Sequence, residues 1–579
     1  MIHHQSLLSI LFAALIIWGC QQDASPSQNG YLSPNPNVSS TDMVCFNGNI
    51  YTMNEKQPMA EAVVVRDGKI VFVGEMEEAR SHYPKNIQVL DLQGRTMIPG
   101  LIESHGHILG LGRSKRTLNL MHVKNYEELV EMVAEAVKTT PKGDWILGRG
   151  WHQSKWTPQP QQMIKGYQTH EALSAVSPDH PVFLTHASGH ASFANAKAME
   201  IAGINLETKV GEDGEIIRYP DGRATGIFSE KAENLVETHV PKSTPESIRK
   251  DLQAAIDECL KYGITSFQDA GSNQQAIDIY EEFVAENKMG IRLWSMLSGG
   301  DTALLRHWFQ KGPLVGDHLS VRSIKLYSDG ALGSRGAWLL EEYADRKGHF
   351  GNPIMPVSYI HEVSQDALTF GFQLCTHAIG DRANQEVLNQ YEKAFLAAPD
   401  QAKDHRFRIE HAQHLHPDDI PRFGQLGVIA SMQGIHMSSD RPWAIDRLGL
   451  MRIKAGAYVW QKLLQSGARI INGTDTPVEP VNPFASLFAS ITRQTLQGTP
   501  ENGYEADQAM SRHEALKSYT LDAAYGAFEE AKKGSIEVGK FADFTVLSAD
   551  IMSIPKREIL DLKVLFTVVG GKILYMGTP

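Results

Sequence analysis

Cysteine is scarce in this sequence. Only four cysteines occur among 579 residues, and their irregular spacing gives neither a disulfide framework nor a C-x-x-C metal motif. Basic runs are also missing, and the formal net charge is -12 at pH 7. An acidic balance without a basic cluster argues against nucleic acid as the main partner. The length of 579 residues and the hydrophobic content of 42% predict a globular protein with a large core and at least one subsidiary domain.

Long apolar runs are absent as well. The run at residues 7–17 is too short to cross a membrane, but its length is typical of a signal-peptide core. It ends at Cys20 in a segment that resembles the lipobox of bacterial lipoproteins. We therefore predict a signal peptide over residues 1–19, lipidation of Cys20, and a polar Ser/Pro/Asn-rich tether over residues 20–41. The alternative is an ordinary secreted chain with a fortuitous cysteine.

The two ends of the remaining chain have a β pattern. Short Val- and Ile-rich runs over residues 42–96 are separated by glycine turns, and Asp67-Gly68 indicates a hairpin. The same pattern returns over residues 535–579, with Gly570-Gly571 at another turn. The sequence therefore predicts one small sheet domain assembled from both ends of the chain.

Residues 97–534 alternate between apolar strand-like runs and helical patterns. Eight such runs end near His105, Gln268, Leu297, Lys325, His377, His411, Ser431 and Asp475. Eight strands alternating with helices predict an α/β fold of the (β/α)8 TIM-barrel type. The first connection is too long for a single crossover, so we expect an inserted α/β subdomain at about residues 140–235.

The end of the first barrel run carries the pair His105 and His107. Two histidines at this spacing in extended backbone point the same way, which is half of a divalent-metal site. The tripeptide alone is weak evidence, and the chain contains a second example at His414 and His416. Catalytic residues of TIM barrels lie at the C-terminal ends of the strands. The full set at these ends is His105, His107, Lys325, His377, His411 and Asp475.

This set suits a metal-dependent hydrolase. We assign His105, His107 and Asp475 to one divalent ion, with Zn²⁺ expected, and His377 and His411 to a second. A buried amine favours its neutral form, so Lys325 can add CO2 and bridge both ions as a carbamate. A water activated by the metal then attacks a polarised carbonyl, and Asp475 acts as general base.

Several motifs resemble the amidohydrolase superfamily. They are the ordered set HxH, Lys, His, His, Asp and the segments IKLYSDGALGSRGA, THAIGD, RIEHAQ, SMQGIHMSSDRPW and NGTDTPVEPVNPF. They are similar to the family 3 branch, which includes N-substituted formamide deformylases and the exoenzyme regulatory protein AepA. The resemblance implies a TIM barrel with a small composite β-sandwich, and hydrolysis of a C–N bond. Superfamily members differ in metal count, so sites with one and with two ions both remain open.

Five further residues are candidates for substrate binding. His190 lies in a segment similar to an SGH segment of the family, and His436 and Asp440 follow the seventh barrel run, where they contact substrate or orient a ligand. Arg335 offers donors to a substrate oxyanion, with a structural ion pair as the alternative. Trp151 forms either a pocket wall or a packing contact.

The expected function is hydrolysis of an amide or formamide-type bond in a small molecule. Alternatives with the same site are a deaminase, a carbamate or ester hydrolase, and an isomerase. From another class, the alternative is a lipid-anchored binding or regulatory protein on a barrel that has lost activity. A serine hydrolase is poorly supported because no G-x-S-x-G motif occurs. We expect attachment to a bacterial membrane through the lipid, on the periplasmic or outer face, no nucleic-acid partner, and a homodimer as the common state of such barrels.

Overall fold

The computed structural model describes residues 41–82, 87–121, 123–186, 191–211 and 214–578, without the side chain at position 154. The predicted signal peptide, Cys20, the tether up to residue 40 and His190 lie outside the described residues. Within the described ranges, none of the helices combines the length and the apolar character that a membrane span requires.

Eight parallel strands form the central sheet in chain order. Barrel strands 1 to 8 are Leu101–Gly106, Ile264–Ser272, Arg292–Ser298, Leu319–Tyr327, Gln373–Ala378, Arg408–His411, Ile429–Met432 and Ile470–Asn472, and the short strand Leu314–Val315 pairs antiparallel with strand 4. The prediction of eight strand ends is confirmed. The strands are buried along nearly their whole length, as in other parallel sheets covered on both faces.

The sheet curls into a nearly closed barrel. Strand 8 meets strand 1 through the residues that follow it: Asp475 N–H donates to the carbonyl of His105 at 2.8 Å, and His107 N–H donates to the carbonyl of Thr476 at 2.7 Å. Closure therefore occurs between the first and the last residues of the predicted metal set.

Helices connect the barrel strands and pack outside them. They are Ile108–Arg116, Pro245–Lys261, Gln274–Ala285, Thr302–Lys311, Val357–Phe370, Asp381–Ala397, Ile420–Leu426, Gly434–Leu448, Leu450–Gly456, Trp460–Gln465, Pro483–Thr492, Arg512–Ser518 and Leu521–Tyr525, with 3₁₀ turns at Gln401–Asp404, Ala506–Gln508 and Lys556–Asp561. The helix after the insert begins with a capping box of Thr244 and Ser247 and a proline at its first position, and its buried face includes Leu252 and Ile256. The predicted alternation of strands and helices is confirmed.

A second sheet joins both ends of the chain. Its strand order is Lys572–Met576, Val564–Val569, Phe544–Leu547, Thr96–Pro99, Met43–Tyr51, Met59–Arg66 and Lys69–Gly74. The strand Gln88–Asp91 also pairs with Met43–Tyr51, and the helix Met76–Ala79 follows the strand Lys69–Gly74. The predicted hairpin at Asp67-Gly68 is confirmed, with φ of 51° and 74° at the two residues, as a two-residue hairpin loop of this type requires. That the domain is a two-layered sandwich stays a prediction.

A third sheet lies between barrel strands 1 and 2. It contains Leu118–Asn119, Ile146–Trp151, Val182–His186, Ala191–Ala194, Gly214–Arg218 and Ala224–Glu230, with the helices Tyr126–Thr139, Glu171–Val176, Ala196–Ile201 and Asn234–Glu237 and the 3₁₀ turns Gln153–Lys155 and Lys231–Glu233. These elements begin at Leu118, whereas the insert is predicted at about residues 140–235. The predicted range therefore leaves out the short strand Leu118–Asn119 and the helix Tyr126–Thr139. The division into domains stays a prediction.

Candidate functional site

Three of the predicted ligands converge at the C-terminal mouth of the barrel. His105 lies in strand 1, His411 ends strand 6, and Asp475 follows strand 8 by three residues. Each offers one ligand atom, and these three atoms lie within 4.8 Å of one another. All three residues are buried, so a cation there would be held by protein atoms from both sides of the barrel.

The other three predicted residues adjoin this group. His107 Nε2 lies 3.3 Å from Asp475 Oδ1, and the ring centroid of His377 lies 4.5 Å from that of His411. Lys325 Nζ lies 3.2 Å from His105 Nε2. The structure thus brings all six residues together. Its tightest group combines His105 and Asp475, predicted to bind one ion, with His411, predicted to bind the other. That division stays a prediction.

The backbone is strained at two of these residues. His411 has φ of 76° and Asp475 has φ of 58°, which is the left-handed region that residues with a Cβ rarely adopt. Such conformations each cost on the order of 1–3 kcal/mol and persist where the surrounding structure forces them, frequently at functional sites. The strain falls on the residues whose side chains must point into the barrel mouth.

Burial keeps the histidines in their neutral form. It lowers the pKa of His105 to about 4 and the pKa of His377 to about 3, and it holds the pKa of His411 well below its usual value. Burial also lowers the pKa of Lys325. Neutral imidazoles have a free lone pair at pH 7, which metal coordination requires.

The Asp475 carboxylate keeps its negative charge. Burial alone raises its pKa, but opposing interactions, led by the contact with His107 Nε2, outweigh burial and hold the pKa of Asp475 well below its usual value. An ionised carboxylate among neutral imidazoles is an anionic centre into which a cation fits.

Two polar atoms of the cluster make no hydrogen bond of normal geometry with the described residues. They are Asp475 Oδ1 and His377 Nε2, and both are buried. Buried acceptors without a partner are costly. Neutral imidazole nitrogens with one carboxylate oxygen are the donor set that Zn²⁺ and related divalent ions prefer. The residues therefore fit a divalent metal.

Sequence analysis missed three buried acids around the cluster. Glu410 accepts a hydrogen bond from His105 Nδ1. Glu103 accepts from the backbone N–H of His105 at 3.1 Å, and from the backbone N–H and hydroxyl of Thr474 at 2.8 and 2.9 Å. A charged residue one or two positions before a ligand in an otherwise apolar strand was the available signal for both.

The third missed acid is Asp329. Burial raises its pKa to about 7, and it accepts from the backbone N–H groups of Trp338, Ile379 and Gly380 at 2.8 to 2.9 Å. Its Oδ1 lies 3.5 Å from His377 Nε2. Asp329 therefore ties the loop after strand 4 to the end of strand 5, beside a predicted ligand.

The substrate-binding candidates divide into two groups. The ring of His436 stacks 5.9 Å from that of His411, and Asp440, whose pKa burial raises to about 6, accepts from Gln413 Nε2 at 3.2 Å. His436 is thus placed beside the cluster, and Asp440 lies one helical turn after it.

The other two candidates are engaged elsewhere. Trp151 is fully buried in the core of the insert, where its indole N–H donates to the carbonyl of Leu184 at 2.8 Å. Arg335 forms a two-pronged ion pair with Asp345 at 2.7 and 3.1 Å. Both residues therefore make the packing or ion-pair contacts that were the alternatives for them, and a role of either in substrate binding stays a prediction.

Known proteins are similar to this chain in sequence, and solved structures are similar to it in fold. It is 32% identical over 554 residues to the protein LONG AFTER FAR-RED 3 of Arabidopsis thaliana, covering 92% of this chain and 91% of the relative. It is 27% identical over 554 residues to the N-substituted formamide deformylase of Arthrobacter pascens, covering 93% and 99% of the two chains. An uncharacterized metal-dependent hydrolase from Pyrococcus horikoshii, solved by crystallography, superposes with a TM-score of 0.74 at 25% identity, covering 89% of this chain and 99% of that one.

The family model agrees with these similarities. It is described as that of the amidohydrolase family, and it matches residues 88–575, from the last part of the N-terminal β region to the final strand. The match includes all six residues of the predicted metal set. The chain belongs to the amidohydrolase family.

Proposed function

We propose that this chain is a metal-dependent hydrolase that cleaves the C–N bond of an amide or formamide-type substrate. The observation that carries the proposal is the convergence of His105, His411 and Asp475 within 4.8 Å at the barrel mouth. The N-substituted formamide deformylase among its relatives supports the choice of bond. Its similarity covers nearly the whole of both chains.

The residues that would hold the metal are the six predicted ones, His105, His107, Lys325, His377, His411 and Asp475. Zn²⁺ is our proposed ion, since imidazole and carboxylate ligands suit it. A bound divalent ion supplies Lewis acidity, which lowers the pKa of water towards neutrality and polarises a carbonyl.

Asp475 is the proposed general base. Its carboxylate takes a proton from the attacking water and later gives it to the leaving nitrogen, which must be protonated before it departs as an amine. The depressed pKa of Asp475 keeps the carboxylate ionised at neutral pH, as a metal ligand must be.

Lys325 is the proposed bridge in a site with two ions. Its buried amine, in the neutral form, adds CO2 and loses a proton to give a carbamate with two metal-binding oxygens. Its position 3.2 Å from His105 Nε2 supports this role. In a site with one ion, Lys325 instead stays an amine beside the metal.

The setting of the enzyme is proposed from sequence. Residues 1–19 act as a signal peptide and Cys20 carries a lipid that holds the protein on a bacterial membrane, with a small-molecule substrate, no nucleic-acid partner and a homodimeric assembly. We further propose that the sheet from both chain ends forms the small composite β-sandwich typical of the superfamily.

The test is a hydrolysis assay on the purified chain from residue 21 onward. Zinc-loaded protein is offered N-substituted formamides and simple amides in parallel with esters, carbamates and aminopurines, and release of formate or carboxylate and amine is measured. We expect turnover of the formamides or amides, its loss with a chelator, and its return with zinc. Asp475→Asn should lower kcat by about 10²–10⁴-fold, whereas the matched control Asp345→Asn, outside the cluster, should leave it within a few fold. Turnover that survives the chelator and Asp475→Asn refutes the proposal.

A further inference from the structure

A buried Arg–Glu pair lies inside the barrel directly beneath the candidate metal ligands. Arg408 and Glu410 both have fully buried side chains, with 0% of each exposed. Arg408 Nε donates to Glu410 Oε1 at 2.7 Å, and its Nη2 donates to Oε2 at 3.1 Å. The same Oε2 accepts the hydrogen bond from His105 Nδ1. A two-pronged guanidinium contact fixes the plane of the carboxylate, and the carboxylate in turn fixes the imidazole of His105.

Arg408 is itself held from three other strands. Its guanidinium donates to the side-chain oxygen of Gln268 in strand 2, to the carbonyl of Ser104 in strand 1 at 2.7 Å, and to the hydroxyl of Ser431 in strand 7 at 3.0 Å. Together with Glu410, these contacts give each of the three guanidinium nitrogens at least one acceptor. The Arg408–Glu410 pair therefore cannot shift without disturbing four strands of the barrel.

The hydrogen bond also determines which nitrogen of His105 carries the proton. An arginine stays protonated in proteins, and Arg408 donates to both oxygens of Glu410, so the carboxylate is ionised and only accepts hydrogen bonds. Nδ1 of His105 must then be the protonated nitrogen. Its Nε2, which lies 3.5 Å from Asp475 Oδ1, then presents its lone pair to the cluster, where it accepts a hydrogen bond from Lys325 Nζ at 3.2 Å.

We propose that the Arg408–Glu410 pair is a positioning unit that holds His105 in the Nδ1–H tautomer, with Nε2 set to bind the metal. This inference rests on the proposed metal site and adds two residues to it. Carboxylates that accept from the second nitrogen of a ligand histidine fix its ring and raise its basicity. Neither residue needs to touch the substrate.

The chain contains a matched control pair. Arg292 and Asp543 form a second buried two-pronged pair, at 2.7 and 2.9 Å, with only 4% of each side chain exposed. Asp543 also accepts from the backbone N–H of Gly570, so this pair joins barrel strand 3 to the sheet of the chain ends. It makes no contact with the predicted ligands. Loss of its charge therefore tests the cost of breaking a buried pair without affecting His105.

The experiment compares zinc affinity across four proteins: wild type, Glu410→Gln, Glu410→Asp and Asp543→Asn. Zinc binding is measured by competition with a chromogenic chelator, and the Tm of the metal-free chain is measured beside it. We expect Glu410→Gln to bind zinc about 10–100-fold more weakly than wild type, because its amide must present N–H groups to Arg408 or to His105. Glu410→Asp keeps an acceptor-only carboxylate and should recover part of that loss. Asp543→Asn should lower Tm while its zinc affinity stays within about threefold of wild type.

A folded Glu410→Gln that binds zinc as wild type does, or an equal loss in Asp543→Asn, overturns the positioning role. If Glu410→Gln does not fold, Glu410→Asp is compared with Asp543→Asn, and it must show the weaker zinc binding of the two. Wild type that binds no zinc refutes the proposed metal site instead, which separates the two failures.

The tautomer gives a second readout that needs no metal and no activity. Metal-free protein is labelled with ¹⁵N-histidine, and the His105 signals are identified by their loss in His105→Gln. We expect the pattern of a protonated Nδ1 and an unprotonated Nε2 in wild type, and its change in Glu410→Gln. A protonated Nε2 in wild type overturns the inference.

Discussion

Replacing Lys325 by Met separates its metal role from a structural one. The side chain is 1% exposed, and its amine makes one hydrogen bond, to His105 Nε2. Met has a similar length and no charge, so it can occupy the same space without burying an amine. Since burial already lowers the pKa of Lys325, the amine is a cost to the metal-free fold. We expect the metal-free stability of Lys325→Met to be unchanged or higher by about 1–3 kcal/mol.

The metal-bound state should change in the opposite direction. At a free zinc concentration 100 times Kd, each ion bound only by the folded chain adds about 2.7 kcal/mol. If a Lys325 carbamate bridges two ions, the Met variant forfeits at least one of these contributions, and its zinc-dependent rise in Tm shrinks accordingly. The signature is thus a gain or no change without metal together with a loss in its presence.

The assay counts zinc per chain by elemental analysis and measures Tm with and without zinc for both proteins. We expect close to two ions in wild type and one or none in Lys325→Met. One ion in both proteins would refute the bridging role and favour a mononuclear site with deaminase substrates. No zinc in either protein would refute the site itself.

Three further predictions concern residues around the cluster and beyond it. Burial lowers the pKa of His405 from 6.5 to about 4, so as pH falls from 6.5 to 4 the unfolded chain takes up a proton before the folded chain does, and the fold loses stability. His405→Phe should flatten the fall of the metal-free Tm between pH 7 and pH 4.5. Equal slopes of Tm against pH in the two proteins would contradict this. Trp151→Phe removes a buried hydrogen bond and should cost about 1–3 kcal/mol of stability with zinc content unchanged; a loss of zinc would place the indole in the site after all. A Cβ at Gly473 would lie 2.2 Å from Glu103 Oε1 and 2.7 Å from the backbone nitrogen of His105. Gly473→Ala should therefore lower both Tm and zinc content, and normal zinc content would refute that packing argument.

The barrel and the position of the candidate ligands at its strand ends were predictable because both depend on local patterns. Buried parallel strands read as short apolar runs, and the polar residue that ends such a run must lie at the barrel mouth. His377 and His411 illustrate this. Strands 5 and 6 pair in parallel, with Ala378 opposite His411, and the two imidazole rings lie with their centroids 4.5 Å apart at these strand ends. The order of the strands then needs no further information from the sequence.

The supporting residues were not predictable in this way, because their roles depend on partners far along the chain. Arg408 and Glu410 share strand 6, but Gln268 and Ser104, which hold Arg408, lie in strands 2 and 1. His414 and His416, the second pair of histidines with this spacing, show the same limit. His414 lies just past the end of strand 6 and is buried with its Nε2 3.4 Å from an Asp381 oxygen. A partner chosen by tertiary packing thus separates a structural histidine from a ligand that has the same local spacing.

The geometry of the site is maintained chiefly by the hydrogen bonds beneath it. Positive φ at His411 and Asp475 costs on the order of 1–3 kcal/mol for each residue, and only surrounding contacts can offset this before a metal arrives. Glu103 provides such contacts by joining the backbone of His105 to that of Thr474. The Arg408–Glu410 pair provides a further contact to the ring of His105. Strand 1 and the loop after strand 8 are therefore fixed relative to each other in the metal-free chain. A metal ion that enters a site already in place spends little binding energy on ordering its ligands, so more of that energy is available for affinity.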